Sequence, residues 1–181
     1  MKVIFLDFDG VLNSSGYSAT LFEAGRPTKD EYGQELFDPE TVNLLNRIVD
    51  ETEAKIVISS SWRYLGITAL RDMWQERGLH GQIIGMTSMH AVDEYIMEHG
   101  LDWLDKGAIA SSPRAVEIEA WLHEHDNVDS FVILDDMPMS ANLQPHFVQI
   151  NPIYGLSDPQ AAKAIEILNR KEYETVNRIP L

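Results

Sequence analysis

The sequence predicts an α/β fold in which a doubly wound, mostly parallel sheet of five strands is flanked by helices. Short apolar runs alternate with helical patterns along the 181 residues, and a repeated order of strand then helix indicates crossovers between parallel strands. The run at 131–134 is wholly apolar, which is typical of a parallel strand buried on both faces. The composition, with 44% hydrophobic and 24% charged residues, is that of a globular domain.

Each predicted strand is one of these short apolar runs. In chain order the strands are residues 3–6, 55–59, 82–86, 131–134 and 147–150. Four helices are predicted from their start and stop signals. Asp38 can cap the first helix ahead of a proline, and Gly78 ends the second, which covers 65–77. The other two begin where a proline follows Ser112 and Asp158.

Two segments have weaker patterns. Residues 13–37 are polar, contain glycine and are expected to be irregular, and residues 87–112 are expected to form a helical excursion and a loop. Because one domain commonly takes roughly 100–200 residues, we predict a single domain over 1–181 with these two segments as short insertions.

Composition and charge exclude several classes of protein. The absence of cysteine excludes disulfides, thiolate metal sites and a cysteine nucleophile. The net charge of −15 repels polyanions, so no non-specific binding to nucleic acid is expected. Asp7 and Asp9 interrupt the first apolar run, and no run reaches the ~20 apolar residues of a membrane span. We therefore expect a soluble, cytoplasmic protein that has no membrane partner.

Polar residues of a consistent kind follow the predicted strands, at the edge where such sheets bind ligands. They are Asp7, Asp9, Gly10, Ser59, Ser60, Ser61, Arg63, Asp135 and Asp136, with Arg114 at the start of the helix before the fourth strand. Carboxylates that converge repel one another, so the cluster calls for a divalent cation. Oxygen ligands without nitrogen or sulfur favour Mg²⁺.

Such a cluster suits phosphoryl chemistry. One carboxylate can attack a phosphorus atom while a second gives a proton to the leaving group. The i, i+2 spacing of Asp7 and Asp9 places both on one face of a strand, and Gly10 lets the backbone turn sharply. An EF-hand calcium loop starting at Asp7 is excluded, since its sixth and twelfth positions would hold Leu12 and Ser18 instead of Gly and Glu. A receiver domain is disfavoured because its phospho-acceptor lies on a later strand.

Residues 3–12, V-I-F-L-D-F-D-G-V-L, resemble the first motif of the haloacid dehalogenase-like (HAD) phosphohydrolases, which is four apolar residues, Asp-x-Asp-Gly and two more apolar residues. Later motifs follow in the expected order, so the resemblance spans nearly the whole chain. The S-S-W-R and L-D-D sequences at 60–63 and 134–136 are also similar to the HAD domains of Swiss Army knife RNA repair proteins.

The resemblance implies catalytic roles for four residues. Asp7 would be the nucleophile that forms a phospho-aspartate, and Asp9 would be the general acid and base. Ser60 is the favoured hydroxyl donor to a phosphate oxygen. Arg114 fits the basic residue of the third motif, for which Lys106 and Arg63 are alternatives.

The resemblance also implies a metal site and contacts with substrate. The Mg²⁺ ligands would be Asp7, the backbone carbonyl of Asp9, and Asp135 or Asp136. The predicted substrate contacts are Gly10, Ser59, Ser61 and Arg63.

The resemblance predicts a Mg²⁺-dependent phosphatase that hydrolyses a phosphate monoester through an aspartyl-phosphate. HAD enzymes take specificity from cap insertions, and the short segments 13–37 and 87–112 imply an open site that admits large substrates. Nucleotides or nucleic-acid ends are the first substrate classes, although the net charge of −15 disfavours polynucleotides; a small metabolite is the other. The alternatives are a catalytically silent HAD-like binding or regulatory module and a phosphotransferase.

Overall fold

The five predicted strands pair into one parallel sheet in the computed structural model of the chain, which describes residues 1–99 and 113–170. In chain order they are β1 Lys2–Leu6, β2 Lys55–Ile58, β3 Ile83–Met86, β4 Ser130–Asp135 and β5 Phe147–Gln149. Their order across the sheet is β3-β2-β1-β4-β5. The strand order therefore reverses between β1 and β4, which is where doubly wound sheets open a crevice for ligands. The predicted fold class is confirmed.

Six helices lie among the residues described. They are α1 Ser15–Glu23, α2 Pro39–Thr52, α3 Ile67–Glu76, α4 Ala91–His99, α5 Pro113–Glu124 and α6 Asp158–Asn169. Apolar residues of α2, α3 and α6 form one core cluster with one face of the sheet, and α5 covers the other face with α4 beside it.

Side chains of the central strand β1 alternate between the two faces of the sheet. Ile4 and Leu6 join the cluster under α2, α3 and α6, whereas Val3 and Phe5 join the cluster under α5. All four side chains are buried. This alternation follows from the two-residue period of a strand, and burial on both faces explains why residues 3–6 of β1 are an uninterrupted apolar run.

The expectation that 13–37 is irregular is wrong over α1. Ser14 caps this helix, because its hydroxyl accepts a hydrogen bond from the Tyr17 amide at 3.1 Å. Leu21 is the one buried residue of α1. A helix with so little buried surface leaves no apolar stripe in the sequence, which is why periodicity missed it.

Several element boundaries also differ from the expected ones, and the first and fifth strands as well as the third and fourth do so by one residue at one or both ends. The strand predicted at 55–59 ends at Ile58, which leaves Ser59 just beyond it. The helix predicted at 65–77 is divided, since a 3₁₀ turn covers Ser61–Leu65 and α3 begins after Gly66, whose φ is +81°. α4 confirms the helical part of the 87–112 prediction, and Lys106 lies outside the described residues.

Over 1–99 and 113–170, none of the helices is both long and apolar enough to cross a membrane.

Candidate active site

Three carboxylates meet at the carboxyl ends of β1 and β4. Oxygen atoms of Asp7, Asp135 and Asp136 all lie within 4.8 Å of one another. The register of the two strands causes this, since Leu6 pairs with Leu134 and each of these leucines is followed by an aspartate. The Asp7 amide extends the ladder by donating to the Leu134 carbonyl at 3.0 Å. The predicted convergence is therefore present at the point where the strand order reverses.

Gly10 allows the loop after β1 to pass close to this cluster. Its φ is +74°, and a Cβ there would lie 2.9 Å from Asp136 Oδ2 and 2.9 Å from the Pro152 Cβ. Both the backbone angle and the space require glycine. The proposed contact of Gly10 with substrate stays a prediction.

Asp135 is the most confined carboxylate. It is 0% exposed, and its Oδ1 accepts from the Met137 amide at 2.8 Å. Its Oδ2 is buried without a hydrogen-bond partner among the described residues. Burial raises the pKa of this carboxyl to about 7, and the charge of Asp7 adds to the shift. An unpaired buried oxygen of this kind is costly.

Burial also raises the pKa of Asp7 and of Asp136. For Asp7, the charge of Arg114 and hydrogen bonds from the Ser60 hydroxyl and the Phe8 amide act in the opposite direction. At all three carboxylates the effect of burial on the pKa thus outweighs the opposing charge of Arg114. A set of acidic oxygens, one of them without a hydrogen bond among the described residues, fits a divalent cation such as Mg²⁺.

Among the described residues, Arg114 is the positive charge that faces the cluster. Its Nη2 lies 3.8 Å from Asp7 Oδ2, and its Nε lies 3.5 Å from Asp135 Oδ2. The Nε is buried and makes no hydrogen bond within the described chain. Arg114 thus lies where the third-motif assignment expects it, while its role stays a prediction.

Arg63 is enclosed by protein groups. It is 5% exposed, and its two terminal nitrogens lie 2.8 and 3.2 Å from the carboxylate oxygens of Glu117. Its Nη1 also donates to the Thr87 carbonyl at 3.0 Å, and its Nε donates to the Ser60 carbonyl at 2.6 Å. These contacts hold the turn that carries the serines. The predicted contact of Arg63 with substrate stays a prediction.

Glu117 is a site residue that the sequence reasoning missed. It is 7% exposed and lies between two arginines, since Arg114 Nη1 is 3.4 Å from its Oε2. The available signal was its place three residues after Arg114, on the same face of the helix. Glu117 therefore links the Arg63 turn to the arginine that faces the carboxylates.

The three serines have different surroundings. Ser60 is buried beside Asp7, while Ser59 is buried and its hydroxyl has no hydrogen-bond partner over the described ranges. Ser61 is exposed and donates to Asp9 Oδ2 at 3.1 Å. The geometry thus brings Ser60 to the predicted nucleophile and Ser61 to the predicted acid, and their roles toward substrate stay predictions.

The pKa of Asp135 predicts how pH changes the stability of the metal-free protein. The folded pKa of about 7 lies above the ordinary 3.8, so this carboxyl stabilises the fold below pH 4 and loses that contribution as the pH rises through 7. Relative to an Asp135→Asn variant, the melting temperature in EDTA should therefore fall between pH 5 and pH 8. Added Mg²⁺ should raise the wild-type melting temperature at pH 8 and leave that of the variant nearly unchanged.

Thermal melts of both proteins from pH 5 to pH 8, with EDTA or Mg²⁺, measure this difference. Because the other titrating groups are common to both proteins, the comparison reports Asp135 together with its interaction with Asp7. A parallel pH dependence of the two proteins in EDTA would contradict the interpretation.

Comparison with known protein families gives a match over most of the chain. The family described as the HAD domain in Swiss Army Knife RNA repair proteins matches residues 3–161. No curated protein and no solved structure matches the chain significantly. The match begins within β1 and extends into α6. It therefore covers the described sheet and all three carboxylates of the cluster, Asp7, Asp135 and Asp136. The resemblance inferred from the sequence motifs is confirmed.

Proposed function

Because the chain belongs to the family of HAD domains of Swiss Army Knife RNA repair proteins, we propose that it is a Mg²⁺-dependent phosphohydrolase acting on phosphate monoesters. The observation that carries the proposal is the convergence of Asp7, Asp135 and Asp136 within 4.8 Å, next to Arg114. An acidic cluster with its own arginine can hold both a cation and a phosphate group.

The residues that would hold Mg²⁺ are Asp7, Asp135 and Asp136, together with the backbone carbonyl of Asp9. When bound, the ion neutralises the charge of the carboxylates and of the phosphoryl oxygens. Asp135 Oδ2 supports this assignment because it accepts no hydrogen bond within the described chain and has only the Arg114 guanidinium nearby, 3.5 Å away.

In the first step, a carboxylate oxygen of Asp7 attacks phosphorus and the bond to the leaving-group oxygen breaks. Asp9 gives a proton to that oxygen. Ser60 and Arg114, which both lie beside Asp7, are suited to bind the phosphoryl oxygens. The product of this step is an aspartyl-phosphate on Asp7 and a free alcohol.

In the second step, Asp9 takes a proton from a water molecule. The water oxygen attacks phosphorus, the bond between phosphorus and Asp7 breaks, and inorganic phosphate leaves. The proton that Asp9 lost is thereby restored, and each cycle consumes one water molecule.

For the substrate we propose nucleotides or phosphorylated nucleic-acid ends first, and a small phosphorylated metabolite second. The family description, which refers to RNA repair, supports the first class. The net charge of −15 opposes long polyanions, so short ends and nucleotides are favoured over tracts of duplex. Cytoplasmic location is likewise part of this proposal.

The test is phosphate release from an aryl phosphate, a set of nucleotides, and 5′- and 3′-phosphorylated oligonucleotides, each with Mg²⁺ and with EDTA. We expect release with Mg²⁺ and its loss in EDTA. Transfer of the phosphoryl group to an added alcohol instead of to water would support the alternative that the protein is a phosphotransferase. No release from any substrate, with Mg²⁺ bound as shown by calorimetry, would overturn the proposal in favour of a binding module.

A further inference from the structure

The carboxylate of Asp9 is held by three donors from two segments of the chain. The indole Nε1 of Trp62 lies 3.0 Å from each of its oxygens. The Ser61 hydroxyl donates to Oδ2 at 3.1 Å, and the Asn13 amide donates to Oδ1 at 2.9 Å. Asp9 itself is exposed, and an exposed carboxylate normally samples several rotamers. These hydrogen bonds therefore favour one orientation of the carboxylate.

Trp62 is a rigid donor. Its side chain is 4% exposed and packs edge-on against Phe8, with ring centroids 5.4 Å apart. The ring centroids of Phe37 and Trp62 are 5.6 Å apart, and the Arg77 guanidinium lies 5.5 Å from the centroid of the Trp62 ring. Packing on several sides fixes the indole, and with it the position of the N–H group.

Asn13 is oriented by a second hydrogen bond. Its Oδ1 accepts from the Gly10 amide at 3.0 Å. Since an amide N–H can only donate, the oxygen must face Gly10 and the nitrogen must face Asp9. Asn13 is buried, so this arrangement is protected from competition by water.

We propose that Trp62, together with Ser61 and Asn13, positions Asp9 for proton transfer, which makes Trp62 a positioning residue of the reaction. The inference rests on the proposed phosphohydrolase activity. General acid catalysis requires the acid within about 2.6–3.2 Å of the oxygen that it protonates, and holding a group in that geometry lowers the barrier to reaction. The indole N–H acts through Asp9 and does not itself touch the substrate.

The leaving group of the substrate provides the kinetic test. The aryl oxide of an aryl phosphate can leave without protonation, whereas the alkoxide of an alkyl phosphate must receive a proton from the acid. The ratio kcat/KM reports the first step, in which the leaving group departs, and does not include the hydrolysis of the aspartyl-phosphate, which is common to both substrates. We expect Trp62→Phe, which keeps an aromatic ring but removes the N–H, to lower kcat/KM for an alkyl phosphate by about 10- to 100-fold. The kcat/KM for an aryl phosphate should fall far less.

Trp74→Phe is the matched control. Trp74 is 3% exposed, its ring lies 6.5 Å from Phe8 in the same core, and its indole donates to the His80 carbonyl at 3.1 Å. This variant loses an indole and one hydrogen bond but has no contact with Asp9, so the ratio of the two kcat/KM values should stay unchanged. An equal loss of kcat/KM on both substrates in Trp62→Phe, or an unchanged kcat/KM on both, would overturn the proposal.

The indole signals in a ¹⁵N–¹H spectrum test the contact without relying on activity. The Trp62 signal is assigned by its absence in Trp62→Phe. Asp9→Asn should move that signal and leave the Trp74 signal in place. A Trp62 signal that does not move overturns the positioning proposal. A signal that moves in a protein that releases phosphate from neither substrate supports the contact and overturns the phosphohydrolase instead.

Discussion

Replacing Asp7 with asparagine is expected to lower phosphate release by about 10⁴-fold or more, because it removes the nucleophile on which both steps depend. The same change should raise the melting temperature of the metal-free protein at pH 8. Burial raises the pKa of Asp7, so the ionised carboxylate destabilises the fold there, and a neutral amide does not. The amide oxygen can still accept from the Phe8 amide, which lies 2.7 Å from Oδ1.

Phosphate release and thermal melts in EDTA measure the two effects together. Asp9→Asn is the comparison, since Asp9 is exposed: activity should fall, but the melting temperature should not rise. Activity of Asp7→Asn above about one part in a hundred of the wild type would exclude Asp7 as the nucleophile. A melting temperature of Asp7→Asn below that of the wild type would contradict the expectation that the ionised Asp7 carboxylate destabilises the fold.

Glu117→Gln is expected to have the largest effect on stability, a loss of about 3 kcal/mol or more in the free energy of unfolding. The variant keeps the shape of the side chain but removes the negative charge that two buried arginines share. Arg63 would then be a buried cation without a paired carboxylate among the described residues. Activity should fall as well, since Arg63 also holds the Ser60 carbonyl at 2.6 Å.

Glu119→Gln, on the same helix, is the control for this change. Glu119 is half-buried and accepts one hydrogen bond, from the Ser140 hydroxyl at 2.9 Å. Its replacement should alter the free energy of unfolding by less than about 1 kcal/mol. Urea unfolding of the three proteins gives the comparison, and equal stabilities of Glu117→Gln and Glu119→Gln would contradict the assigned role of the arginine pair.

Much of the site could be predicted because it depends on strand ends. Once residues 3–6 and 131–134 are assigned to adjacent parallel strands, Asp7 and Asp135 must come to the same edge of the sheet. The place of Arg114 at the start of the helix before β4 favours it as the basic residue, with Lys106 and Arg63 as alternatives. These inferences need only the order of the elements.

The contacts that could not be predicted depend on tertiary packing. Arg63 and Glu117 are 54 residues apart, and no local pattern indicates that they form a buried ion pair. The same applies to Trp62, whose indole reaches Asp9 across 53 residues. The helix α1 was missed for a different reason, since it begins at a side-chain cap and buries little surface.

The carboxylates lie at the ends of two interior strands of the sheet, the central β1 and its neighbour β4. The β1 and β4 residues at 3–6 and 131–134 are buried, and the Asp7 amide is bonded to the Leu134 carbonyl. Central strands belong to the last unit to open in native-state hydrogen exchange. We expect the Asp7 amide to exchange only through global unfolding, so that affinity for the cation and the folded state disappear in one cooperative transition.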